Sequence, residues 1–84
     1  ILGGHEVAIY PNPATGNTTI SVSGANGLVK IDIVDINGRT VVSHSMECTG
    51  DCVKKMDVNT LAQGAYFVRI SGENINMVKK LIVK

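Results

Sequence analysis

Apolar and polar residues alternate with a period of two along nearly the whole chain. No segment sustains the 3.6-residue period of a helix over a window of about 11 residues. Alternation sends successive side chains to opposite faces, so each run buries an apolar face only by joining a sheet. Seven runs are legible: residues 5–10, 18–23, 28–36, 39–46, 53–58, 65–71 and 75–84. Turn chemistry punctuates them every ~8–12 residues. The pattern predicts an all-β domain, an immunoglobulin-like β-sandwich of about seven mostly antiparallel strands.

The inward sets follow from the same parity. Val7 and Ile9 share a face of the first run, and Ile20 and Val22 face inward in the second. Val29, Ile31 and Ile33 share a face of the third, with Lys30 and Asp32 opposite. Val34 and Ile36 then fall on the other face, which implies either a bulge or a strand buried on both sides. Tyr66, Val68 and Ile70 point inward in the sixth run, and Leu61 plugs the end of the core.

The breaks between runs have identifiable causes. Pro11 and Pro13 cannot donate to a ladder and stop the first strand. G-A-N-G at 24–27 and G-E-N at 72–74 read as turns. Asn37-Gly38 predicts a two-residue type I′ hairpin, in which both central residues need positive φ. Asp35 stands at its entrance, where a carboxylate accepts from backbone donors. Cys48 and Cys52 flank a three-residue loop, C-T-G-D-C. A disulfide closes it as a hairpin if the Cα atoms lie ~4.4–6.8 Å apart. The alternative is two free thiols, and a metal site lacks further ligands.

Composition narrows the function. Eighty-four residues make one small domain, burying roughly 60–65% of the surface of its unfolded chain. A net charge of +1, no Trp and one Phe give neither the electrostatic steering nor the stacking platform that nucleic acid requires. No apolar run approaches the ~20 residues of a membrane span. The opening I-L-G-G-H-E has no Met, basic segment or apolar core, so it does not read as a signal peptide. Residues 1–4 read as a linker remnant, and the chain as a piece of something longer.

Catalytic groups are sparse. His5 and His44 lack a nucleophile setting, and His44 reads as an exposed strand residue. The serines show no G-x-S-x-G elbow. The carboxylates Glu6, Asp32, Asp35, Glu47, Asp51, Asp57 and Glu73 are scattered singly, and D-I-N-G is too short for an EF-hand. Asn17-Thr18-Thr19 matches a glycosylation sequon, a three-residue pattern common by chance. No enzyme activity and no cofactor are expected.

The last residues stand out. Lys80 and Lys84 clamp an apolar triplet, Leu81, Ile82 and Val83. Alternation puts Lys80, Ile82 and Lys84 on one face, and Lys79, Leu81 and Val83 on the other. Lysines on an edge strand discourage aggregation, or here form a cationic recognition stripe.

The order of signals resembles a known family. It runs Tyr10-Pro11-Asn12-Pro13, a T-x-I-x-V strand, Asp35 with Gly38 and Arg39, Leu61 with Gly64 and Tyr66, then the basic-apolar residues 79–84. Together these resemble the type A C-terminal sorting domain of the type IX secretion system of Bacteroidota, over about residues 7–84. The C-T-G-D-C loop departs from that pattern.

The resemblance implies a secretion signal for a larger cargo. The folded domain would be presented to the outer-membrane translocon and its shuttle components, with recognition through Lys79, Lys80, Leu81, Ile82, Val83 and Lys84. A sortase-like cysteine peptidase would remove it at the cell surface, cutting near residues 1–6. The cargo, an enzyme such as a protease or an adhesin, would cross the periplasm. It would end at the outer membrane or cell surface, commonly joined to an anionic lipopolysaccharide, or be released. That extracytoplasmic setting favours oxidised cysteines. Two other readings stand beside it. An adhesive or carbohydrate-binding module would carry exposed aromatic residues or a calcium loop. A homodimer would pair two terminal strands edge to edge.

Overall fold

Five strands form in the computed structural model, which describes residues 6–73 and 75–84. They are β1 (Glu6–Thr15), β2 (Asn17–Val34), β3 (Thr40–Asp57), β4 (Gly64–Gly72) and β5 (Asn76–Val83). One open sheet contains them in the order β1-β5-β4-β2-β3. It curls far enough for β1 to pair also with β2. Every pairing is antiparallel except one parallel bridge, Ala14 with Val83. The linker expected at residues 1–4, His5 and Asn74 of the G-E-N turn lie outside the described residues.

The core lines the concave side. Ile20, Val22, Val29, Ile31, Ile33, Val68, Ile70 and Leu81 are fully buried, in the parity expected. Val7, Ile9 and Leu61 pack against this cluster at its margins. Each fully buried aliphatic side chain contributes roughly 1.5–3 kcal/mol.

The all-β expectation holds, but seven runs become five strands in one sheet, and the immunoglobulin-like sandwich is not what is found. G-A-N-G and C-T-G-D-C do not reverse the chain. They lie opposite one another inside the β2–β3 ladder, where Ser23 pairs with Asp51, Ala25 with Gly50 and Gly27 with Cys48. Gly24 is the extra residue of a bulge there. Gly24 and Gly50 adopt φ of 81° and 98°, a region closed to most side chains. A bulge bends its strand and increases the twist. Two turn-like segments placed face to face therefore bend a continuous ribbon, and Ala25 is buried at the bend. The first half of β2 pairs with β1 and the second half with β4.

Cys48 and Cys52 form a disulfide with Cα atoms 5.4 Å apart. Both belong to β3, so the bridge ties one strand across its own bend instead of closing a hairpin.

Two local expectations change in detail. The β1–β2 ladder is interrupted after Tyr10, as the prolines require, and resumes where Thr15 pairs with Asn17, the chain staying extended between. At the other hairpin, Gly38 N–H donates to Asp35 C=O at 3.0 Å and Asp35 N–H donates to Arg39 C=O at 2.9 Å. The loop therefore has three residues, Ile36, Asn37 and Gly38. Gly38 takes φ of 85°, while no described non-glycine residue has positive φ. A turn closed by a left-handed glycine replaces the type I′ hairpin. The phase change at Val34 comes from burial on both faces: β2 keeps its alternation opposite β4, Ile31, Asp32, Ile33 and Val34 are all buried, and the bulge beside them leaves Val41 of β3 as the extra residue.

Candidate recognition surface

β5 is held on both sides. Along β4, Tyr66 pairs with Leu81, Phe67 with Lys80, Val68 with Lys79 and Arg69 with Val78. Leu81 and Val83 point into the core and are buried. Val78, Lys80 and Ile82 alternate with them on the convex face. Lys79 shares the inward row but lies exposed, as do Lys80 and Lys84.

The other side is closed by a side chain. Asn12 Nδ2 donates to Lys80 C=O at 2.9 Å, and Asn12 Oδ1 accepts from Ile82 N–H at 3.0 Å. The amide thereby reproduces the donor and acceptor of a neighbouring strand. One step further, Lys84 N–H donates to Ala14 C=O at 2.9 Å. Thr18, fully buried, donates its hydroxyl to Pro11 C=O at 3.0 Å and secures this segment. Both X–Pro bonds, Tyr10–Pro11 and Asn12–Pro13, are cis.

The edge expected to be open along the last residues is thus occupied from Lys80 onward. Upstream it is open: among the described residues, no strand pairs with this side of residues 76–79. Backbone groups repeat every two residues along a strand. The N–H and C=O of Val78 therefore lie on the same lateral edge as Lys80 C=O and Ile82 N–H.

The quoted motifs converge on this strand. Asn12 stands on one side of it, with Pro11 and Pro13 exposed and Tyr10 half-exposed. Gly64 and Tyr66 stand on the other, paired with Val83 and Leu81. Tyr66 donates its hydroxyl to Ala62 C=O at 2.7 Å, closing the loop that carries Leu61. Asp35, Gly38 and Arg39 form the hairpin beyond β4.

That hairpin borders a groove of about 280 Å³ lined by Val34, Asp35, Ile36, Gly38, Phe67, Arg69 and Val78. Phe67, Arg69 and Val78 were not singled out by sequence. The available signal was the apolar phase break at Val34 and Ile36, facing the same side as Phe67.

Asp35 organises the hairpin. Its Oδ1 accepts from Asn37 N–H and Arg39 N–H, each at 2.9 Å, and its Oδ2 from Arg39 Nε at 3.3 Å. The Arg39 backbone N–H, followed by the Asn37 N–H and the guanidinium, holds the carboxyl below its ordinary value of 3.8. Nearby, the buried Asp32 accepts from Ser43 Oγ at 2.7 Å.

Other candidate chemistry is not assembled. Among the described residues, no three of His, Cys, Asp and Glu come together as a metal site. His44 is exposed on β3. Asn17, the first residue of the sequon, lines a polar hollow of about 320 Å³ with Gly16, Lys55, Asp57 and Asn59, and no aromatic ring joins them.

Two of the motifs thus flank one ordered, lysine-bearing strand, and a third forms the hairpin beyond β4. The family model described as the secretion system C-terminal sorting domain matches residues 8–84. The chain belongs to this family, the sorting tails of type IX secretion. It is a non-catalytic sorting signal, and family membership implies interaction with that machinery and export to the cell surface or secretion. An endo-acting ulvan lyase of Formosa agariphila is 34% identical over 80 residues. The match covers 94% of this chain and 15% of the lyase.

Proposed function

We propose that this type A sorting domain reaches the outer-membrane translocon in folded form, is held there through β5, and is then removed. The supporting observation is the division of labour within residues 79–84. Leu81 and Val83 anchor the strand in the core, while Lys79, Lys80 and Lys84 are exposed. Anchored apolar residues give the strand one fixed presentation. Exposed cations give charge complementarity, which acts on encounter and discrimination more than on affinity. Leu81 and Val83 thus serve recognition indirectly, by holding the lysines in place.

On this reading residues 1–6 link the domain to a cargo upstream, and a sortase-like cysteine peptidase cuts there. The cargo crosses the periplasm and is anchored at the surface or released. A larger enzyme is a suitable cargo, since a relative with a similar tail is named a lyase.

The test is a reporter carrying a signal peptide and fused to this chain, in a host with type IX machinery. Replacing Lys79, Lys80 and Lys84 together by Gln should lower surface arrival about tenfold, the order expected from losing several exposed charge pairs. The melting temperature should stay near that of the parent. Normal arrival of this folded variant would refute recognition through the lysines.

A further inference from the structure

We propose that the convex face of β4 and β5 is a docking groove for an extended partner segment of alternating apolar and acidic residues, added as a strand along residues 76–79. This rests on the sorting reading and extends the recognition surface beyond residues 79–84.

Three observations converge there. The first is backbone: among the described residues the lateral edge of β5 is unpaired at residues 76–79, and Asn12 and Ala14 close it from Lys80 onward. An added strand has donors and acceptors to bind at Val78 and a defined place to stop. Edge pairing supplies affinity from main-chain bonds, and pockets for alternate side chains supply specificity.

The second is apolar. Ile36, Phe67 and Val78 are 73%, 41% and 56% exposed, and the fold brings them from three separate segments to one groove. The groove suits the side chains of a peptide segment.

The third is charge. Arg69 lies beside Val78, and Lys80 beside Phe67. Of the nearby carboxylates, Asp35 is engaged by the hairpin, and Asp32, opposite Arg69 on β2, accepts from Ser43 and forms no ion pair with the guanidinium. Among the described residues the one ion pair is Arg39 with Asp35, so Arg69 and Lys80 present cations on this face outside any ion pair. A second copy of this chain would bring two such cationic sets together, and like charges on facing strands repel. An acidic segment complements them.

The reporter fusion tests this with five variants, each purified as the 84-residue chain for a melting curve. Val78→Pro removes a donor from the open edge while sparing the β4 ladder, since that N–H faces away from β4. Phe67→Ser removes the apolar floor, and Arg69→Glu reverses charge. Val53→Ser, an exposed position on β3 outside the groove, is the control. Surface arrival should fall about tenfold for Val78→Pro and Phe67→Ser, the order of one lost interface anchor. It should fall for Arg69→Glu, be retained by Arg69→Lys, and stay unchanged for Val53→Ser.

Should Val78→Pro fail to fold, Phe67→Ser and Arg69→Glu carry the test. Normal delivery of folded groove variants would overturn the groove while leaving the sorting reading intact. Failure of the unmodified fusion to arrive would sink the sorting reading itself. Equal loss in Arg69→Lys and Arg69→Glu would overturn the acidic character of the partner. A dimer seen by sedimentation and abolished by Phe67→Ser would assign the face to a second copy and overturn the proposal.

Discussion

Asn12 places both ends of one amide on the backbone of β5. Partners of opposite polarity fix which end is which. Replacement by Ala leaves Lys80 C=O and Ile82 N–H to water, and because these groups are exposed the loss should be about 1 kcal/mol. Urea unfolding measures it, and an unchanged midpoint would mean that the amide does not hold the strand. The motif showed that Asn12 mattered, but its partners lie 68 and 70 residues away, beyond any local rule. Asp35 is the opposite case, because its donors are two and four residues on, and its role was legible. Its carboxyl sits below the ordinary 3.8 in the folded chain, chiefly through the Arg39 N–H. The ionised form therefore favours folding above that pH, and the contribution fades as pH falls below it. Asp35→Asn should flatten the acid limb of stability against pH between about pH 5 and 3. Parallel curves for parent and variant would contradict this.

At the scale of elements, the inward residues were legible because parity is local. Ile20, Val22, Ile31, Ile33, Val68 and Ile70 needed only the period of two. The strand count was not legible. G-A-N-G and C-T-G-D-C each carry turn chemistry, and each read alone predicts reversal. Their meaning changes once they face each other in one ladder, where a bulge bends the pair and the strands continue. The disulfide locks that bend within β3. Its closed loop is short, so the bridge should contribute about 2 kcal/mol or less. Urea unfolding with and without a phosphine reductant gives the difference. A much larger loss would mean that the bend itself fails without the bond.

For the molecule as a whole, the strand proposed for recognition is also one that holds the core. Deleting residues 81–84 takes away Leu81 and Val83, both in the core. Truncating one buried leucine costs ~2–5 kcal/mol, against a total of ~5–15 kcal/mol for a typical domain. The deletion should abolish cooperative melting of the isolated chain and delivery together. A truncated chain that still melts cooperatively would refute this. Substitutions at exposed Lys79, Lys80 and Lys84 spare the core and so test recognition by itself.

The sequence alone determined what local periodicity and spacing encode: an all-β chain, its buried face, the turn held by Asp35 and the family its motifs mark. Tertiary structure alone decided which segments meet. It turned two predicted turns into one bend, set Asn12 against the last strand, and gathered Ile36, Phe67 and Val78 into a groove. The division has a physical reason. Side-chain parity is fixed by neighbouring residues, whereas register and edge occupancy depend on pairing between segments far apart in the chain.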